Sequence, residues 1–219
     1  MFGTPLFDDR TAAGKALAEE LADFAERDNV LVLALPRGGV PVAFEIADYL
    51  RVPLDVMLVR KLGTPGYPEL AMGAIASGDN IVMNKSIVLQ LDISQQAIDR
   101  EIEQERQELC RREYVYRGDR APYPIAERTV ILVDDGIATG ATMRVAVAAI
   151  NQQKPAWLVV AAPTAAADTH QIIAREVDQI VCLATPEPYY AVGSWYRNFD
   201  QTSDAEVCAL LQRAANARS

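Results

Sequence analysis

One stretch limits the fold of this chain more than any other: Val130-Ile131-Leu132-Val133-Asp134-Asp135-Gly136-Ile137-Ala138-Thr139-Gly140-Ala141-Thr142. Four apolar residues in a row suit a strand buried on both faces, as in parallel sheets. Two carboxylates end it. A loop of small residues and hydroxyls follows, and a helical pattern runs from about Ala141 to Gln153. In open α/β sheets, ligands bind beyond the carboxyl ends of such strands. The loop gathers backbone N–H groups, Thr139, Thr142 and a helix N-terminus around one point, which makes an anion site. Gly136 and Gly140 lack a Cβ and let the backbone come close to a ligand. No lysine follows Gly140, so the Gly-Lys-Ser/Thr ending of a P-loop is missing and a single phosphate ester fits better than a β,γ-phosphate chain. Asp134 and Asp135 are placed to accept hydrogen bonds from the vicinal hydroxyls of a sugar on that phosphate. The same acids would also suit a turn cap or a strand-end magnesium cluster.

The rest of the chain repeats the alternation of buried strand and helix, which predicts a largely parallel twisted sheet flanked by helices. Strands are expected at Val30–Leu35, Leu54–Val59, Thr129–Val133, Trp157–Ala162 and Gln179–Ala184, with helices at Thr11–Arg27, Val40–Leu50 and Ala165–Arg175. Met72–Ala76 and Ile81–Met83 are expected to pair around Gly78-Asp79-Asn80. Ser94–Tyr116 is rich in Glu, Gln and Arg with a thin apolar stripe, the pattern of a solvent-facing helix. Its Arg100, Arg106, Arg111 and Arg112 read mostly as ion-pair partners of its own glutamates. Ser203-Asp204-Ala205-Glu206 has capping-box spacing and opens a last helix. The fold class is therefore α/β, one domain over residues 1–219, with an excursion at about 62–127 that interrupts the alternation.

Charge and counts narrow the function. Lys and Arg number 21 against 30 Asp and Glu, a formal charge of −9. Nucleic-acid binders draw affinity from basic side chains, so no nucleic acid is expected as partner. An anion must be held here by a local device. One histidine, His170, rules out sites needing two, and it reads as a helix-surface residue. Cys110, Cys182 and Cys208 are dispersed and suggest reduced thiols in a cytoplasmic setting. No basic leader is read at the start, and no apolar run approaches a membrane span.

The thirteen-residue segment resembles the 5-phosphoribosyl-1-pyrophosphate (PRPP) signature of type I phosphoribosyltransferases: four apolar residues, two acids, then a small-residue loop ending Thr-Gly-x-Thr. Every position is met. Leu35-Pro36-Arg37-Gly38-Gly39, then Arg60-Lys61-Leu62-Gly63, then an aromatic tail, is similar in order to the uncharacterised bacterial members. The resemblance implies that Asp134 and Asp135 hold the ribose 2′ and 3′ hydroxyls and touch Mg²⁺ directly or through water. It implies that Ile137, Ala138, Thr139, Gly140, Ala141 and Thr142 hold the 5′-phosphate. Arg37, Gly38 and Gly39 are similar to the family's pyrophosphate loop, and Arg60 and Lys61 to a basic pair that reaches the pyrophosphate. Each of these stretches would also suit a turn or a solvated strand end. In relatives a flexible loop closes over PRPP, and here it falls at 62–70 or within the span to 127.

Tyr189, Tyr190, Trp195, Tyr196 and Phe199 crowd into one stretch. The family carries a hood that selects the acceptor, and the span 186–219 with Phe2–Phe7 is expected to build it. Trp195, Tyr190 and Phe199 are then candidates to stack a planar base, or to anchor the tail by packing. The implied reaction transfers the phosphoribosyl group to a nitrogenous base and releases pyrophosphate, with Mg²⁺ as cofactor and relatives often dimeric. A PRPP-sensing module without turnover, or a hydrolase of a related ester, stays open on the same residues.

Overall fold

The computed structural model describes residues 4–217. Along the chain lie α1 (Arg10–Glu20), β1 (Val30–Ala34), α2 (Gly39–Leu50) and β2 (Leu54–Val56). Next come β3 (Val59–Thr64), β4 (Tyr67–Ala76), β5 (Asn80–Met83), α3 (Lys85–Gln90) and α4 (Gln95–Arg117). The chain then returns through β6 (Thr129–Val133), α5 (Ala141–Gln152), β7 (Trp157–Thr164), α6 (Ala167–Ile173), β8 (Gln179–Ala184) and α7 (Asp204–Asn216). Five strands form one parallel sheet in the order β2-β1-β6-β7-β8.

Every residue of β1, β2 and β6 is buried, as continuous apolar runs require when helices cover both faces. Alternate residues feed two cores. Val30, Val32 and Ala34 join α1, α2 and α7 on one face. Leu31, Leu33 and Leu35 join the apolar side of α5 and Ile173 on the other. The excursion is a second sheet, antiparallel, in the order β3-β4-β5.

One expectation needs correction, and two elements appear that the sequence pattern does not announce. The strand expected over Leu54–Val59 is two strands in different sheets. Met57 N–H still donates to Ala34 O at 2.9 Å, but Leu58 N–H donates to Ser77 Oγ at 3.0 Å. From there the chain pairs with β4, Val59 opposite Ala76. The turn-rich Gly63–Glu69 is the tip of the β3–β4 hairpin, with Gly66 at φ +78° supplying the turn. The helix α3 is likewise short and unannounced by periodicity; the Asn84 side chain caps it by accepting from Ile87 N–H. The capping box forms as expected, Ser203 Oγ accepting from Glu206 N–H at 3.1 Å.

The long helix α4 is tied down at its last turn. Arg117 Nε donates to Asp55 Oδ1 at 2.8 Å and its Nη2 to Val56 O at 2.6 Å, all buried. This fixes the end of α4 against the edge strand β2 and so carries the preceding turns of α4 to the rim of the sheet. α7 packs beside it on α2 and α4.

Candidate active site

The strand order fixes where a ligand can sit. From β1 the chain runs outward to β2, then returns to place β6 on the other side of β1. The loops leaving the carboxyl ends of β1 and β6 therefore part to opposite faces and open a crevice between them. Pro36–Gly38 borders it on one side and Asp134–Gly140 on the other. Leu35 N–H donates to Val133 O at 2.9 Å. A Cβ on Gly39 would stand 2.8 Å from Val133 O, and one on Gly38 would overlap the Asp135 carboxylate. Only glycine lets the two loops lie this close. The Pro36–Arg37 peptide is cis.

The acids differ in environment. Asp134 is half-buried, and its Oδ1 accepts from Asp135 N–H at 2.9 Å. Burial first, and then the neighbouring Asp135 charge, push its pKa well above the usual carboxylate range. Asp135 is only 13% exposed, and Arg10 Nε donates to its Oδ2 at 2.8 Å. Arg10 in turn donates through Nη1 to Asp200 O at 2.7 Å, and its guanidinium carbon lies 3.9 Å from the centre of the Phe199 ring. Tyr196 donates its hydroxyl to Asp135 O at 2.6 Å, and burial followed by the Asp135 charge pushes that phenol up as well.

The loop that follows β6 is held from below. Ile137 N–H donates to Thr164 O at 2.9 Å, and Thr169 Oγ1 donates to Ala138 O at 2.7 Å. Ile137 thus spends its N–H on the sheet and is buried, so it supports the loop rather than offering a donor. From Ala138 to Thr142 the five successive N–H groups have no protein acceptor among the described residues. Gly140 stands at φ +69° and opens α5, whose first N–H groups lack partners within the helix. Unpaired amides converging at a helix N-terminus form an anion cradle. The glycines serve packing as well as access. A Cβ on Gly140 would press on Thr169 Cγ2 at 2.5 Å, and one on Gly136 would overlap Val192 of the tail.

Arg60 and Lys61 fall on β3, adjacent residues that face opposite ways. Arg60 Nε donates to Glu105 Oε2 of α4 at 2.6 Å. Arg60 lines a cavity of about 120 Å³ together with Arg37, Thr142 and Arg112 of α4. Lys61 is exposed and is not among its walls. A larger groove of about 680 Å³ lies at the far end of α2 against Ala214 and carries none of these groups.

The aromatic tail closes the other side. Trp195 is 6% exposed, and its backbone carbonyl accepts from Leu6 and Phe7 N–H at 2.9 and 3.1 Å. The N-terminal segment from Leu6 therefore pairs with the tail, while Phe2 lies outside the described residues. Tyr189 bonds Thr164 Oγ1 at 2.9 Å, and burial pushes its hydroxyl up to about 12. Tyr190 is exposed and Phe199 partly so. Of the span 186–219, Tyr196 touches Asp135, Phe199 and Asp200 meet it through Arg10, and α7 packs on the body.

Sequence reasoning missed Arg10, and it counted Tyr196 among the aromatics without placing it on Asp135. Arg10 had one signal: a cation in the first turn of a helix opposes the macrodipole and needs another partner. No group of three or more His, Cys, Asp or Glu converges among the described residues. Two carboxylates fit Mg²⁺ in the way that ion is commonly held, by one or two acids plus water and substrate phosphates.

The chain is similar to known proteins over most of its length. The family model described as "Phosphoribosyl transferase domain" matches residues 8–190. The Mycobacterium tuberculosis proteins "Putative phosphoribosyl transferase Rv0571c" (strain H37Rv) and "Putative phosphoribosyl transferase MT0597" (strain CDC 1551) are each 46% identical over 209 residues, 95% of this chain. The chain spans 47% of the length of these curated relatives. The crystal structure of TT1426 from Thermus thermophilus matches with a TM-score of 0.83 at 39% identity, over 94% of this chain and 98% of that one.

Proposed function

This chain belongs to the phosphoribosyl transferase domain family, and we propose on that footing that it binds PRPP with Mg²⁺ and transfers the 5-phosphoribosyl group to a nitrogenous base, releasing pyrophosphate. The observation that carries this reading is the run of five unpaired N–H groups at Ala138–Thr142, set beside two acids and directly against the Arg37-Gly38-Gly39 loop across the β1–β6 crevice. A sugar monophosphate with a diphosphate on its anomeric carbon needs that set: an amide cradle, hydroxyl acceptors, and a basic loop at the other end.

In this reading the amides of Ala138–Thr142 hold the 5′-phosphate, and the Thr139 and Thr142 hydroxyls add donors. Asp134 and Asp135 accept from the ribose hydroxyls. Arg10 fixes the Asp135 carboxylate, so its free oxygen has one direction to face. Arg37 and Arg60, with the Gly38 backbone, hold the pyrophosphate, while Gly39 spends its N–H on Leu35 O at 3.1 Å and serves the close packing of the two loops. Displacement at C1 passes through an oxocarbenium-like state, so the chain works by positioning and by charge placed in advance. Mg²⁺ bound with PRPP, against Asp134 or Asp135, would neutralise the leaving group. The tail at Tyr189, Tyr190, Trp195 and Phe199 walls the acceptor side and keeps water from C1.

The test is pyrophosphate release from PRPP and Mg²⁺ over a panel of nitrogenous acceptors. Release that depends on one acceptor class supports the transferase. PRPP binding without release for any acceptor points to a sensing module instead. Release in the absence of acceptor points to a hydrolase.

A further inference from the structure

We propose that α4 supplies Arg112 as a pyrophosphate-binding residue, reaching the leaving group from outside the parallel sheet; the proposal rests on the PRPP reading above. Arg112 lines the cavity that also holds Arg37, Arg60 and Thr142, so it spans the gap between the basic loop and the end of the phosphate cradle. Arg112, Arg37 and Arg111 also wall a second chamber of about 210 Å³, with Tyr116 and Asp204 at its back.

The ion pairs around these arginines hold Arg111 and Arg60 firmly and leave Arg112 loosely held. Arg111 binds both oxygens of Glu108, at 2.7 and 2.9 Å. Arg112 reaches only one of them, at 2.8 Å through Nε, and its side chain is 45% exposed. Glu108 is therefore satisfied without Arg112, which can turn to an anion in the cavity at little cost. Arg37 is weakly engaged in the same way. Its Nη1 stands 3.9 Å from Asp204 Oδ1, an oxygen that already accepts the Tyr116 hydroxyl at 2.6 Å. Arg60 has a closer partner in Glu105. Two loosely held guanidiniums, one on the β1 loop and one on α4, thus face one cavity in a chain of charge −9. Guanidinium binds phosphate oxygens in pairs, and a diphosphate offers enough of them for both.

The register of α4 explains why Arg112 and not its neighbours takes this place. Buried Arg117 fixes the last turn on Asp55, and Tyr116 fixes the turn against Asp204. Residue 112 lies four positions before Tyr116, about one turn away, so it shares with Tyr116 the face of α4 that looks onto Arg37 of the β1 loop. Arg106 faces elsewhere and is held by Asp79 and Glu103.

The experiment titrates inorganic pyrophosphate, and separately ribose 5-phosphate, into the wild type and the Arg112→Gln and Arg111→Gln variants by calorimetry. Arg112→Gln is expected to weaken pyrophosphate about ten-fold or more, the worth of one charge-assisted hydrogen bond. It should leave ribose 5-phosphate unchanged, and Arg111→Gln should alter neither by more than about two-fold. Unchanged pyrophosphate affinity in Arg112→Gln overturns the proposal, as does an equal loss in Arg111→Gln, which would mean a diffuse field. A wild type that binds neither probe contradicts the PRPP reading itself. Circular dichroism of both variants separates these outcomes from misfolding.

Discussion

Replacing Gly140 by alanine strains the loop after β6 in two ways that can be told apart. The residue stands at φ +69°, where a Cβ costs roughly 1–2 kcal/mol. The new methyl would also lie 2.5 Å from Thr169 Cγ2. Thr169 is β-branched and stiff, so moving that methyl means turning the side chain and giving up its 2.7 Å bond to Ala138 O, worth about 1 kcal/mol. The sum is about 2–3 kcal/mol, which lowers the melting temperature by roughly 4–12 °C in a chain of this size. The displaced loop should also lose at least one amide bond to the phosphate, about ten-fold in ribose 5-phosphate affinity. Thr169→Ser removes Cγ2 and keeps the hydroxyl. In that background Gly140→Ala should cost about 1 kcal/mol less than in the wild type. Urea unfolding gives the stabilities and calorimetry the affinities. A Gly140→Ala variant with wild-type stability, or a clash that Thr169→Ser does not relieve, would refute the packing argument. Wild-type ribose 5-phosphate affinity in a destabilised variant would mean that the loop is not the cradle.

Other outcomes follow from the same geometry. Asp134 is raised above its unfolded pKa, so the native state binds the proton more tightly and stability falls as pH rises through that window. Asp134→Asn should therefore melt higher than the wild type at pH 7, with the gap closing as the pH falls from the folded-state pKa to the ordinary carboxylate value; equal melting at pH 7 would contradict the assignment. Arg10→Leu strands the mostly buried Asp135 carboxylate and should cost about 2–4 kcal/mol in urea unfolding, less than a fully buried pair; a loss under about 0.5 kcal/mol would show that the pair carries nothing. Trp195→Ala opens a cavity under the tail and should cost about 3–5 kcal/mol. If the acceptor profile of pyrophosphate release stays fixed in that variant while stability drops, Trp195 anchors the tail and reads no base.

The parts legible in the sequence are those whose physics is local. Val130–Thr142 spells its strand, acids and cradle in consecutive residues, and β1 with its Arg37-Gly38-Gly39 loop does the same. What escaped was set by distant partners. Arg10 meets Asp135 across 125 positions and Tyr196 meets it across 61, so no window of sequence contains either pair. The break after Val56 was hidden because Met57 and Leu58 are as apolar as a strand interior; the switch of sheets depends on Ser77, nineteen residues on from Leu58. Gly63–Glu69 looked like a loop because Pro65-Gly66 is a turn signal, and the strands on either side carry a register shift that blurs their alternation. Arg112 looked like a partner of Glu108, which it is; its place on the cavity depends on how Arg117 and Tyr116 seat the helix.

The central claim is that the β1–β6 crevice holds PRPP by its two ends. A crystal structure of the chain with PRPP and Mg²⁺ tests it most directly. The account predicts the 5′-phosphate on the amides of Ala138–Thr142, the ribose hydroxyls on Asp134 and Asp135, and the pyrophosphate between Arg37 and Arg60. A sugar phosphate bound away from the crevice, or bound in it with the phosphate clear of those amides, would contradict it.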